Sequence, residues 1–487
     1  MAARPDRLAS GFAGALGLLP SQRQEVREDL RGLVGHARHA ARNVDYMKAW
    51  EAMVRRHVIG HRGIQPAADC CHADGSPDPK AGKAILDAWK RWGKRGVATT
   101  CGRLSWWNLE NIAATMVARE GNFLAQVRTA GPFGFQLKPL MIDQLDLDYV
   151  EELRDGGYVE GGVEFDADDR PRAFWFWDAH PFDTHGPARH RRRIRVPVGD
   201  LIHAWRPTEV AQVLGIPGAH TALRRLNMVG KYEEAALAAA HYGAAQMAIF
   251  ESEDGDVADG SASGELPIDT IEAGMTAVLP AGMKLADWRP NYPDGEMPAF
   301  VAHMLRGAAA GLGVSYSGLA NDLTGANFSS LRAGLGEERD EWRMFQRDLA
   351  ETLHAQVFAA WLPRAIMAGE VRLPFTRIDH WIDSVTWRPR GWASVNPKDD
   401  ATANDADLAN RLRAPSDIVA ERGGDFDETV RRIEADLETL RAAGLPVPRA
   451  MAQAQAQAQP PAPSPPREGG EEGGSGAGND SDESEDT

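Results

Sequence analysis

The sequence predicts an α+β, multi-domain chain. Three patterns predict it: helix-period runs before residue 121 and after residue 220, strand-period alternation between them, and one apolar stripe sustained from Phe328 to Met367. A length of 487 residues with 43% hydrophobic content fits two to four domains and a sizeable core.

Residues 1–40 mix Arg, Ala and Gly without a clear period and are expected to form a loosely held arm. From Asn43 to Gly60, Met47, Trp50, Met53, Val54 and Val58 fall near helical spacing, and Gly60 supplies a stop. "DCCHADGSPDPKAG" reads as a loop. Lys83–Arg95, with Ile85, Leu86, Trp89 and Trp92 on one face, and Ser105–Glu120 read as two further helices. After Gly121 the runs become short and alternating, and Val163 and Phe165 answer Ala173, Trp175 and Trp177 across "DADDRP" as the arms of a hairpin. Thr221–Phe250 returns to helix, with eight alanines between positions 235 and 248. The acidic connector "ESEDGDVADGSASGELP" leads to short strands. A short helix over Ala299–Leu312 and a small-residue, polar loop at 313–327 follow. The long helix then carries Phe328, Leu331, Leu335, Trp342, Phe345, Leu349, Leu353 and Val357 at steps of three, four or seven, with Asn327 as its N-cap and Pro363 as its end or kink. Residues 398–443 read as two or three shorter helices. Beyond Pro448, "AQAQAQAQPPAPSPPREGG" has the composition of a disordered tail.

A net charge of −16 argues against tight, sequence-independent binding of phosphate over the whole surface, which needs a basic footprint. Residues 467–487 hold eight carboxylates against Arg467, so the tail carries −7 and the remainder about −9. Cys70, Cys71 and Cys101 form neither a disulfide framework nor a four-ligand zinc site, which fits a reducing compartment. The apolar run near the N-terminus is broken by Gly and Pro, and no run approaches the ~18 apolar residues of a membrane span. A soluble, intracellular protein with no membrane partner is expected.

No nucleotide-binding loop, H-E-x-x-H or G-x-S-x-G is present; "GVSYSG" has the wrong spacing for the last. "DCCHAD" offers metal-ligand types but adjacent cysteines and no partner cluster, and "DADDR" lacks the Gly and distal Glu of a calcium loop. No metal and no cofactor are expected. The dense basic run Arg189, Arg191, Arg192, Arg193 and Arg195 suits either phosphate or a subunit contact. Trp106, Trp107, Trp175, Trp177, Trp381, Trp387 and Trp392 suit packing better than stacking on bases.

The stretches "YMKAWEAMVRRHVIGHRGIQP", "GGVEFDADDRPRAFWFW", "VPVGDLIHAWRPTEVAQVLGIP", "GLGVSYSGLANDLTGANFSSLR" and "SDIVAERGGDFDE", in this order from about Asp45 to Gly444, resemble the lambda-type portal proteins of tailed bacteriophages. The resemblance implies a homo-oligomeric ring, commonly of twelve subunits, at one capsid vertex. Double-stranded DNA would pass through it during packaging and ejection. The implied partners are the terminase large subunit, head-completion or adaptor proteins and the major capsid or scaffold protein. The implied anatomy is a wing at 41–220, a first stem helix at 221–250, a clip at 251–295, a second stem helix at 296–312 and a channel loop at 313–327. The long helix and a return to the wing would fill 328–397, a helical crown 398–446 and an acidic tail 447–487. Within it, Ser315, Ser317, Asn321, Asp322, Thr324 and Asn327 would form the channel loop and Arg332, Glu337 and Arg339 the channel helix. Lys284, Asp287, Trp288 and Arg289 would form the terminase-docking clip. The departures are a short "DCCHADGSPDPKAG" region and the acidic tail. Two rival readings are a metal-dependent DNA-processing enzyme using Asp143, Asp146, Asp148 and Glu151, and a monomeric virion assembly adaptor.

Overall fold

The computed structural model describes residues 21–181, 183, 192–244, 250–252, 283–285, 295–324, 328–392, 397–424 and 426–445. The chain forms two compact units, divided after Asp425.

The first unit opens with a helix where a loose arm was expected. α1 (Gln22–Asn43) is capped by Ser21 and buries Val26, Leu30, Leu33, Val34, Ala37 and Ala40 along one stripe. Frequent arginines and glutamates on its outer face dilute that period in the sequence, so the anchoring emerges only from the surface it meets. α2 (Asp45–Val54) runs into a π-turn at Arg55–Ile59 and stops at Gly60, whose φ of 68° suits glycine. β1 (Gln65–Ala68), α3 (Pro79–Trp92) and α4 (Trp106–Glu120) follow, the last with a reciprocal Ser105–Asn108 cap.

The β-rich middle forms two antiparallel sheets. β2 (Asn122–Arg128), β3 (Gln136–Leu140) and β9 (Leu201–Trp205) make one, in the order β3-β2-β9. β4 (Glu151–Glu152), β5 (Tyr158–Glu160), β6 (Val163–Phe165), β7 (Pro171–Trp177) and β8 (Arg193–Pro197) make the other in sequence order. The expected hairpin is the β6–β7 pair, and Asp169 takes a left-handed φ of 63° in its turn. Strand alternation divides the interior into two cores. Phe123, Ala125 and Val127 of β2 enter the larger core, while Leu124 enters the smaller, where α1 packs with Phe165, Phe174 and Phe176.

Two helices, α5 (Leu223–Ala244) and α6 (Met297–Leu312), pack against each other. Between them the structure describes one antiparallel pair, β10 (Phe250–Ser252) with β11 (Met283–Leu285). α7 (Tyr316–Ala320) leads to α8 (Phe328–Leu349), a π-turn at Ala350–Ala355 and α9 (Gln356–Met367). The long rod is therefore interrupted at the π-turn and not at Pro363, which lies inside α9. α10 (Ile378–Asp383) and β12 (Val385–Arg388) return to pair with β1, and α11 (Pro397–Ala409) and α12 (Pro415–Glu421) complete this unit. The second unit holds α13 (Phe426–Ala442).

The larger core is built on aromatic rings. Trp89 lies 4.7 Å from Trp92, 5.1 Å from Trp361, 5.5 Å from Trp106 and 5.7 Å from Trp387 between ring centres. Trp106, Trp381 and Trp387 thus serve packing, as expected. Against these rings His354 meets Glu110, Nε2 to Oε2 at 2.9 Å, with both side chains at 2% exposure or less. His354 Nδ1 faces the Leu349 carbonyl at 3.1 Å across the π-turn, and Glu110 accepts the Ile64 amide at 3.3 Å. Burial pushes the Glu110 carboxyl up against the pull of His354. A second buried polar hub is Asn122, whose Oδ1 accepts the Gly215 amide and faces His203 Nε2 at 3.0 Å.

Removing one partner of the buried pair strands the other: Glu110→Ala is expected to lower unfolding stability by about 3 kcal/mol or more in urea titration. A loss of only a few tenths would show that the pair holds nothing. Burial pushes His203 down to about 3 from its ordinary 6.5, so the unfolded chain gains a proton that the folded chain refuses. Stability should therefore fall as pH drops from about 6.5 towards about 3, and His203→Gln should flatten that part of the titration. An unchanged pH profile would contradict the assignment.

Candidate functional site

Of the residues singled out by the sequence, Ser315, Ser317, Asn321, Asp322 and Thr324 lie around α7, between α6 and α8. α6 ends at Gly313, left-handed at φ 67°, and the Leu312 carbonyl accepts Trp50 Nε1 at 3.2 Å. Val314 and Leu319 turn inward, at 9% and 2% exposure. Ser315 Oγ caps α7 by accepting the Gly318 amide at 3.2 Å, while the Ser315 amide donates to Glu338 Oε2 of α8 at 3.2 Å. The other Glu338 oxygen accepts Trp342 Nε1 at 3.2 Å. Asn321 closes α7 in a left-handed conformation, φ 52°. Asp322 then accepts the Tyr316 hydroxyl at 2.8 Å with one oxygen, and the Thr324 amide and hydroxyl at 2.9 and 2.5 Å with the other. The Thr324 bonds, with that from Tyr316, hold the Asp322 carboxyl below its usual range.

The stretch 313–324 is thus more structured than a plain loop. Ser315 and Ser317 belong to a capped turn of helix, and Asn321, Asp322 and Thr324 form a hydrogen-bonded corner. Asn327 lies outside the described residues, as does the side chain of Arg332. Farther along α8, Glu337 is exposed and Arg339 half-buried, on the side where its charge reaches His57 and Arg390. Lys284 sits in β11 opposite Glu251 of β10; Asp287, Trp288 and Arg289 lie outside the described residues.

The pair α5–α6 that leads to this corner is apolar on more than its inner face. α5 buries Leu226, Val229 and Ala236, yet Met228 and Leu237 remain 46% and 62% exposed. On α6, Phe300 is 44% exposed beside Tyr232. At Gly311 the turn entering α5 lies close against α6: a Cβ there would meet Thr221 Oγ1 at 2.8 Å, and that hydroxyl donates to the Gly311 carbonyl at 3.2 Å.

Arg189 and Arg191 lie outside the described residues. Arg192 pairs its backbone with Asp178. Arg193 Nε meets Asp146 at 2.7 Å with its guanidinium over the Tyr149 ring, and Arg195 grips both oxygens of Glu164 at 2.7 Å. Glu164 is held below the usual carboxylate range by Arg195. These two guanidinium groups are therefore engaged by their own sheet.

The rival acidic cluster is dispersed. Asp143 meets Arg38 at 2.5 Å, Asp146 meets Arg193, Asp148 meets Arg31 at 2.7 Å and Glu151 accepts the Tyr149 hydroxyl. In the cysteine loop, Cys70 is buried against Ser384 Oγ, and burial pushes its thiol up. Among the described residues no group of three or more His, Cys, Asp or Glu is arranged to hold a metal ion, and no helix is long and apolar enough to cross a membrane. Sequence reasoning missed the Tyr316–Asp322 clasp, Arg38 bridging Asp143 and Glu120, and the His354–Glu110 pair. The clasp spans six residues and was legible as an aromatic hydroxyl near an acidic turn; the others join positions 82 to 244 apart and leave no local signal.

The family described as phage portal protein, lambda family, matches residues 13–346. The probable portal protein of Halomonas phage phiHAP-1 is 29% identical over 435 residues, covering 88% of this chain and 84% of that protein. The portal protein of Escherichia phage N15 is 24% identical over 280 residues, covering 51% and 52%. Among solved structures, the neck of an empty GTA particle computed with C6 symmetry aligns at a TM-score of 0.45, with 15% identity and 86% and 98% coverage. The neck of a native GTA particle computed with C12 symmetry aligns at 0.42, with 12% identity and 80% and 91% coverage. With more than half its length matched by one family, the chain belongs to the lambda family of phage portal proteins, structural proteins of the virion's portal vertex and not enzymes.

Proposed function

We propose that the chain assembles into a ring, commonly of twelve subunits in the family it belongs to, that forms the channel for double-stranded DNA during packaging and ejection. The observation that supports this reading is the α5–α6 pair, on which Met228, Leu237 and Phe300 remain 46%, 62% and 44% exposed and whose second helix leads into the polar corner at Asn321–Thr324. Apolar surface on a helical pair is stabilised at about 25 cal/mol per Å² when a neighbour covers it. Copies related by a rotation axis cover it on every subunit and bring identical corners towards that axis.

On this reading, residues 41–220 form the wing, α5 and α6 the stem, 251–295 the clip, 313–327 the channel loop and 398–446 the crown. The clip, with Lys284, Asp287, Trp288 and Arg289, would dock the terminase large subunit and later the head-completion or adaptor proteins. The capsid or scaffold protein would meet the outer wall. A body of net negative charge suits a channel that DNA must leave again, because every added phosphate contact raises affinity and slows sliding. Short polar side chains at Asn321 and Thr324 make weak, replaceable contacts with a passing duplex.

Two outcomes test this. Leu237→Glu with Phe300→Glu should shift the purified protein from ring to monomer, seen by light scattering and electron microscopy; rings of normal yield would remove the α5–α6 surface from assembly. Alanine at Asn321, Asp322 and Thr324 together should leave rings intact and reduce packaged DNA at least about tenfold. Wild-type packaging by such rings would take the corner out of the mechanism.

A further inference from the structure

Close to where the described chain begins, both sheets and α9 surround an open groove of about 730 Å³. β7 contributes Phe174, β9 contributes Leu201 and Trp205, and α9 contributes Ala359 and Ala360. Arg23, two residues after Ser21, also lines it, with Ala211 and Val213. The polar groups of this lining are answered within the chain. Arg23 Nε donates to the Ala211 carbonyl at 3.0 Å, and its Nη1 donates to the Tyr158 hydroxyl at 2.8 Å and lies 3.7 Å from Asp169. Arg364 meets Asp200 at 3.3 Å, and the Gln356 amide exchanges two hydrogen bonds with the backbone of His203, each at 3.3 Å. A groove whose charges are already paired favours an uncharged occupant, because a charged one would lose water without gaining a counter-ion. Beside Ala211, Val210 stands 96% exposed.

Residues 1–20 lie outside the described residues and end at Ser21, so the chain enters the first unit next to this groove. Residues 8–20, LASGFAGALGLLP, carry no charged side chain and include Phe12, Leu16, Leu18 and Leu19. The family match begins at residue 13, so the part of this run that leads into α1 belongs to the matched region. Ten extended residues reach about 33 Å, which is ample for a groove that starts beside their own last residue. The occupant is thus named by three things together: where the absent segment ends, its apolar and uncharged composition, and a groove of matching character. We propose that residues 11–20 dock in this groove of their own chain. Leu16 and Leu18, two apart and so on one side of an extended segment, face Phe174, Leu201 and Ala360. The segment then joins both sheets to α9 and covers apolar surface that the described residues leave open. This inference goes beyond the ring reading and does not depend on it.

The test uses the full-length protein with Cys71 and Cys101 replaced by alanine. Ala360→Cys is combined with Leu16→Cys in one variant and with Leu18→Cys in another. On mild oxidation at least one of the two should lose both introduced thiols while the chain still runs as a monomer in denaturing electrophoresis; each single cysteine should stay free. Covalent multimers from the double variants would seat the segment in a neighbouring copy and overturn the assignment. Free thiols in both variants would leave the groove to another molecule and overturn the docking. As an independent arm, Leu16→Asp with Leu18→Asp should lower the melting temperature by about 3 °C or more. The same pair of substitutions should have a smaller effect once Ala360→Trp fills the groove, because the two changes act on one contact. An unchanged melting temperature, or full additivity with Ala360→Trp, would overturn the proposal.

Discussion

The larger core depends on one buried contact, the hydrogen bond between His354 and Glu110. It lies where three constraints meet: the π-turn that offsets α8 from α9, the aromatic cluster of Trp89, Trp106, Trp361 and Trp387, and the Gly63–Ile64 backbone that enters β1. A carboxyl and an imidazole at this depth are tolerated only while each satisfies the other. The π-turn brings Nδ1 to the Leu349 carbonyl and so orients the ring towards Glu110. Continuous α-helix would rotate His354 off that line, and the rod would lose its attachment to α4.

That attachment matters because the rod carries the polar corner. Glu338, one turn before Trp342, holds the Ser315 amide, and Trp50 holds the Leu312 carbonyl, so both sides of α7 are tied to the core through single hydrogen bonds from buried rings or carboxylates. The small polar residues that looked like a plain loop are therefore presented on a rigid base.

Electrostatics follow the same logic of local satisfaction. The basic run that suggested phosphate binding spends Arg193 and Arg195 on Asp146 and Glu164, and the carboxylates that suggested a metal site spend themselves on Arg38, Arg193 and Arg31. Each motif, read alone, pointed outward to a ligand. Folded, one pair, Asp146 with Arg193, joins the two motifs, while Arg195, Asp143 and Asp148 are answered by Glu164, Arg38 and Arg31.

The sequence by itself determined what depends on near neighbours: the helices around Trp50, Trp89 and Leu109, the β6–β7 hairpin, the α8 stripe, and the resemblance that the family match bears out. Periodicity and turn chemistry act over a few residues, so they survive in a string of letters. Tertiary structure decided the rest. The stripe of α1 became a core face only against α2, α4 and the strands of both sheets, the rod broke at a π-turn that no residue announces, and Pro363 was accommodated within α9. The partners of Arg38, Glu110 and Arg195 were chosen by folding, because a charge buried among distant elements finds its counterpart in space and not along the chain.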